Sequence, residues 1–136
     1  MKKKALALMG ALCIVLLLAA CGKAEYEEID LSKQVPVDGY EQYIRLNDGL
    51  MGIAEAAILP DVYEGRIGKK IGKVGRVSTK ISANGEVAST GKEGLPVIRE
   101  GDEIHRIRGT SPKTEVLIQT EEGYVPAAFL FYLDKK

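Results

Sequence analysis

Three glycine-bearing turn signals limit how long any regular element of this chain can be: Asn47-Asp48-Gly49, Glu100-Gly101-Asp102 and Glu121-Glu122-Gly123. Each is flanked by short apolar runs, a pattern that favours strands joined by tight turns. Around the first, Ile44 and Leu46 on one side and the stretch through Leu59 on the other predict a hairpin with a short loop. The Ala54-Glu55-Ala56-Ala57 island favours helix and allows a helical turn before Pro60. Further on, VIREGDEIHRIRG reads as strand, turn and strand, residues 114–120 as another strand, and residues 124–133 as the last. Pro126 in that last run predicts an edge position or a break, because proline has no N–H to give a ladder. The fold expected is mainly β, a small barrel or sandwich of about five to six short antiparallel strands within residues 39–136. No internal repeat is visible.

The middle of the chain is harder to place. In GRIGKKIGKVGRVSTKI, Ile67, Ile71 and Val74 fit a helical face, but Gly65, Gly68, Gly72 and Gly75 oppose a helix at roughly 1 kcal/mol each. A strand over residues 71–81 is expected instead, bent or closely approached at its glycines. The following SANGEVASTGKEG is rich in Ser, Thr, Asn and Gly and reads as a mobile loop.

The other end of the chain speaks about location. Lys2, Lys3 and Lys4 precede an uncharged apolar run over residues 5–20, the n-region and h-region of a secretory signal peptide. That run is shorter than the roughly 20 residues a helix needs to cross a bilayer core. It ends in Leu18-Ala19-Ala20-Cys21, which resembles the lipobox of bacterial lipoproteins. The resemblance implies that Cys21 receives a diacylglyceryl group and that a dedicated peptidase, recognising Leu18, Ala19 and Ala20, cuts just before it. Two acyl chains give stable anchoring where one gives only reversible binding. Gly22 follows the cysteine, which by the family's rules favours the outer membrane in a diderm host. In a monoderm host the protein would sit on the outer face of the cell membrane.

A wider resemblance covers most of residues 43–136. YIRLNDGLM, GRIGKKIGKV and LPVIREGDEIHRIRG are similar to segments of a group of small lipoproteins of Gram-positive bacteria, and the likeness implies location and β architecture but no activity. Separately, EEGYVPAAFL resembles the closing strand of bacterial SH3-like domains, with Tyr124 in the aromatic place and no tryptophan before it.

Processing at Cys21 changes the arithmetic. It leaves 116 residues and, by removing three lysines and no acid, moves the net charge from 0 to −3. An acidic protein is a poor candidate for nucleic acid, whose binding rests on phosphate neutralisation. Cys13 departs with the leader and Cys21 is acylated, so the mature domain holds no thiol for a disulfide, thiol catalysis or a metal site. Residues 21–38 are polar and acidic after the cysteine, with Glu27, Glu28 and Asp30, and read as a tether of roughly 20–25 Å root-mean-square span. The alternative is that Ile29, Leu31 and Val35 dock on the domain as an edge strand.

Catalytic signatures are weak. A Walker loop needs a second glycine five positions before its Gly-Lys and a hydroxyl after it. Gly68-Lys69 and Gly72-Lys73 have neither, and the dinucleotide fingerprint is absent as well. His105 is the sole histidine, on a strand face with Glu103 and Ile107, and reads as half-buried packing rather than part of a triad or a metal set. Phe129 and Phe131 share a strand face and are expected in the core, while Tyr124 and Tyr132 carry polar handles suited to an exposed contact.

What stands out is charge. Arg66, Lys69, Lys70, Lys73, Arg76 and Lys80 fall within fifteen residues with no acid between them. The first five form a candidate contact patch for an anionic wall polymer or an envelope protein; lysines guarding an edge strand against aggregation are the plainer reading. The expectation is therefore a lipid-anchored, extracytoplasmic, non-enzymatic interaction domain without a cofactor. The alternative is a small-ligand-binding lipoprotein with a barrel cavity. Replacing Cys21→Ser is expected to abolish both lipid incorporation and precursor cleavage, read by metabolic lipid labelling and precursor size. A normally processed, membrane-retained variant would refute the anchor.

Overall fold

The computed structural model describes residues 27–57 and 60–133. The leader, Leu18, Ala19, Ala20 and Cys21 lie outside the described residues. The first elements are β1 (Ile29–Asp30), β2 (Gln42–Leu46), β3 (Gly49–Ile53) and a 3₁₀ turn at Pro60–Tyr63. β4 (Ile67–Lys73), β5 (Val77–Ser78), β6 (Lys80–Ile81) and β7 (Val87–Ser89) follow, then β8 (Glu103–Ile107), β9 (Glu115–Thr120) and β10 (Gly123–Tyr132). Eight of these form one curled sheet, a half-barrel, in the order β4-β8-β9-β10-β3-β2-β7-β5. β1 and β6 make a separate two-stranded ribbon.

The mainly-β expectation holds, but its details need correction. The described residues form ten strands rather than five or six, and β5 pairs with β7 in parallel. The supposed mobile loop contains β7, whose Val87 and Ala88 are fully buried. The strand expected over residues 71–81 begins earlier and is broken into β4, β5 and β6. Residues 97–99 are not a strand, yet Ile98 plugs the core from that segment. Residues 54–57 form no helix; the 3₁₀ turn comes after them, starting at Pro60.

The β2–β3 hairpin forms where expected. Asn47 and Asp48 both take positive φ, 51° and 66°, which gives a two-residue turn whose twist suits the flanking strands. Pro126 lies within a central strand, opposite Leu117. Its carbonyl accepts from Ala54 N at 2.9 Å, so its missing N–H faces the same flank, where β3 has already ended at Ile53. The proline thus sits at a local edge inside a long strand.

One hydrophobic cluster draws on strands from nearly the whole sheet: Ile44, Met51, Val87, Ile104, Ile118 and Val125, with Val74 and Ile98 from the connections. Only a curled sheet lets strands so far apart in order share one core. A second cluster lies on the convex side of β2, β3 and β7. There Tyr43, Leu50 and Ala88 pack with Ile29 of β1 and Ile81 of β6. Part of the expected tether is therefore docked: Ile29 pairs with Ile81, Asp30 with Lys80, and Leu31 N donates to Thr79 O at 2.9 Å. Val35 does not join them and is 67% exposed. The buried Tyr43 hydroxyl ties the segment down by donating to Val37 O at 2.7 Å, and burial pushes that phenol's pKa above its usual value.

The two ends of the sheet order, β4 and β5, are consecutive in the chain, joined by residues 74–76. Hydrogen bonds hold this link on both flanks. Val74 N donates to Asp102 O and Gly101 N to Val74 O, each at 2.8 Å. On the other side Gly75 N donates to Gly85 O at 2.9 Å and Val87 N to Arg76 O at 2.8 Å. β4 meets β8 closely enough that a Cβ on Gly68 would stand 2.8 Å from the carbonyl oxygen of Arg106. Because that neighbour is backbone, Gly68→Ala should push the edge strand outward at a cost of about 1–3 kcal/mol. A fall in Tm of roughly 4–8 °C per kcal/mol is expected, measured by thermal unfolding.

Candidate functional site

β4 has a neighbour on one flank only, β8, and its register slips twice, between Ile67 and Lys70 and between Lys70 and Gly72. These irregularities break the two-residue alternation that would bury one face. Lys69, Lys70, Ile71 and Lys73 are all exposed, with Ile71 at 42%. Arg66 stands exposed just before the strand. The segment is thus a free strand edge carrying three lysines around one apolar side chain.

The cations of the sequence run do not stay together. Lys70 Nζ lies 3.4 Å from Glu103 Oε2 on the neighbouring strand. Arg76, in the link, reaches Glu86 Oε1 at 3.3 Å and Ser82 Oγ at 3.2 Å. Lys80 sits opposite Asp30 in the outer ribbon. Lys69, Lys73 and Arg66 form no ion pair among the described residues. The patch is therefore reduced to β4 and its N-terminal neighbour, with Arg76 given over to holding the link.

His105 backs this edge. Its Nδ1 lies 3.1 Å from Gly68 O, its Nε2 3.2 Å from Glu103 Oε1, and its ring meets Tyr124 edge-on at 6.1 Å between centroids. The Gly68 carbonyl and the Glu103 carboxylate are both acceptors, so the two contacts are hydrogen bonds together only when both ring nitrogens carry a proton. Bonds from His105 and then Lys70 hold the Glu103 carboxyl below the usual carboxylate range. Histidine, glutamate and lysine thus form a short chain that fixes β4 against β8. Glu103 was missed as Lys70's partner, although the spacing of Glu103 and His105 already put them on one strand face. Nothing in the residue pattern shows the register slips that expose Ile71.

Beside the start of β4, Ile67 and Tyr124 line an open hollow of about 450 Å³ with Pro60, Asp61, Glu64 and Gly65. Among the described residues no group of three His, Cys, Asp or Glu side chains gathers as a metal site. Comparison of the chain with protein-family models, with curated proteins and with solved structures finds no match.

Glu86 is the most heavily bonded carboxylate near the site. Its Oε1 accepts from Ser82 N at 2.7 Å, Ala83 N at 3.0 Å and Ser82 Oγ at 3.1 Å, besides Arg76. Burial alone would raise its pKa, but the Ser82 and Ala83 bonds and then Arg76 outweigh it, and the pKa is lowered. A lowered folded-state pKa stabilises the fold above the unfolded value, and that contribution disappears as pH falls through the folded value. Glu86→Gln keeps the shape but loses the charge-assisted part of these bonds, at about 1 kcal/mol. The variant should show a lower Tm at neutral pH and a flatter loss of Tm on acidification. A profile parallel to that of the parent would contradict this role.

Proposed function

We propose that this chain is a lipid-anchored protein of the cell envelope, held by an acylated Cys21, and that its β domain is a non-enzymatic interaction module. Its contact surface is the free edge of β4, which meets an anionic partner, either an envelope protein or a wall polymer. The observation that carries the reading is that Lys69, Ile71 and Lys73 are exposed together on a strand whose outer flank is unpaired. Free edges are costly because they invite unwanted strand pairing, and lysines are the usual guard. An exposed isoleucine between those lysines undoes part of the guard, which favours an edge kept available for a partner. Strand addition by an extended acidic segment would use the backbone for affinity and the lysines for selectivity.

The small-ligand alternative needs a lumen. The inward positions Ile44, Met51, Ile104, Val116, Ile118 and Val125 are instead almost wholly buried against one another, so the interior supports that reading poorly. Charge reversal at Lys69, Lys70 and Lys73 should weaken association with isolated envelope fractions. The parent's binding should weaken with added salt, since exposed charges are screened within about 10 Å at 0.1 M. Undiminished binding by the triple variant would remove β4 as the contact surface.

A further inference from the structure

A second surface lies at the other side of the molecule's chemistry, where the C-terminal end of β10 meets the N-terminal segment. β10 is staggered: it pairs with β9 through Ala128 and continues beside β3 to Tyr132. Between Phe129 and Phe131 the register slips by one residue, a β-bulge. A bulge re-aims the side chains that follow it. Phe129 packs against the main core, while Leu130 and Leu133 pack on the outer cluster. Phe131 and Tyr132 are left 37% and 64% exposed, which corrects the expectation that Phe131 fills the core. The Tyr132 ring leans on Phe129 at 4.8 Å between centroids.

Phe131 and Tyr132 share a hollow of about 290 Å³ with Glu27, Ile29, Gln34 and Pro36. Val35, between Gln34 and Pro36 in the chain, lines a different hollow with Tyr40, Tyr43 and Thr90. Two of the five exposed large hydrophobics among the described residues, Phe131 and Tyr132, thus lie together beside Glu27, where the chain leads back toward Cys21. Glu27 is six positions after Cys21, so the two are at most about 20 Å apart even if the chain between them is fully extended.

We propose that the domain lies on the bilayer through Phe131 and Tyr132, with the boundary between headgroups and acyl chains as the occupant of this patch. The proposal rests on the reading of Cys21 as the acylated anchor. A phenol beside an apolar ring suits that boundary, where tyrosine keeps its hydroxyl wet and its ring in the apolar layer. Charge does not drive the contact, because the one charged residue lining the hollow is Glu27, which an anionic surface would repel. The attachment is therefore apolar and insensitive to salt, unlike the β4 edge.

The chain has no tryptophan, so a single one can report depth. The full-length protein is expressed with its leader, the mature lipidated form is purified, and it is reconstituted into phosphatidylcholine vesicles with or without brominated acyl chains. One variant carries Tyr132→Trp. The other carries Glu122→Trp, in the turn at the opposite end of β10, about 30 Å of extended strand away. Several-fold stronger quenching at position 132 than at 122, unchanged by high salt, is expected. Equal and weak quenching at both positions, with the diacylglyceryl mass present on Cys21, overturns the docking and leaves the anchor standing. Blue-shifted emission at position 132 without bromolipid quenching assigns the patch to contacts between copies and also overturns it. A Cys21 without lipid mass overturns the anchor reading and the docking with it.

Discussion

Three residues join the two edge strands of an eight-stranded sheet, and most of the architecture answers to that short link. Eight strands laid flat put their edges about 33 Å apart. The step from Lys73 to Val77 reaches about 14 Å at full extension. The sheet has to curl until β4 and β5 nearly meet, and the bonds of Val74 and Gly75 to the turns before β8 and β7 hold it there. Curling brings Ile44, Ile104, Val116 and Val125 toward a common axis. Val74 itself is 2% exposed, so the link is part of the core it encloses.

Closing one end in this way leaves the rest of the gap to be managed. Residues 91–101 cross between β7 and β8, and Ile98 drops into the core from this segment. Gln42 Nε2 fixes the crossing by donating to Pro96 O at 3.1 Å. β4 still keeps an unpaired flank. Its cations and the exposed Ile71 are therefore consequences of incomplete closure as much as of the residues themselves. Arg76 shows how the two demands compete: it lies in the basic run, but the link requires its guanidinium at Glu86 and Ser82.

Legibility followed the length of the pattern. The β2–β3 hairpin and the β9–β10 pair were readable because Asn47-Asp48 and Glu121-Glu122-Gly123 stand between clear apolar runs. β7 was not, since Val87-Ala88-Ser89 is too short to show alternation and is surrounded by loop-forming residues. Its burial is decided by β2 and β5 on either side, a tertiary effect with no local sign. Pro126 marks neither an edge strand nor a break: β10 is central and paired straight through it, because the flank its missing N–H would serve lies beyond the end of β3. The basic run was visible in full, whereas its division among β4, the link and the outer ribbon depends on where the curl turns the chain. The bulge after Phe129 was invisible for a related reason: an uninterrupted apolar run carries no mark of where one residue drops out of register.

The outer layer adds a further constraint on the way the domain can be held. Ile29, Leu31, Tyr40 and Tyr43 cover the convex face of β2 and β3, and a Cβ on Gly52 would stand 2.4 Å from the Tyr40 ring. Glycine at that position is what lets an aromatic side chain lie flat on the sheet. This cover takes in residues 29–43, most of the segment expected as a tether, and leaves Glu27 six positions from Cys21 in sequence. Under the proposed acylation of Cys21, this limits orientation as well as distance, because the point where the chain leaves the domain would have to face the anchor. That point lies beside Tyr132, at the end of β10, whereas β4 is separated from β10 by β8 and β9. Packing the N-terminal segment onto the sheet would, with Cys21 anchored as proposed, couple fold stability to the orientation of the domain, and it leaves the basic edge on a different part of the surface from the chain's exit.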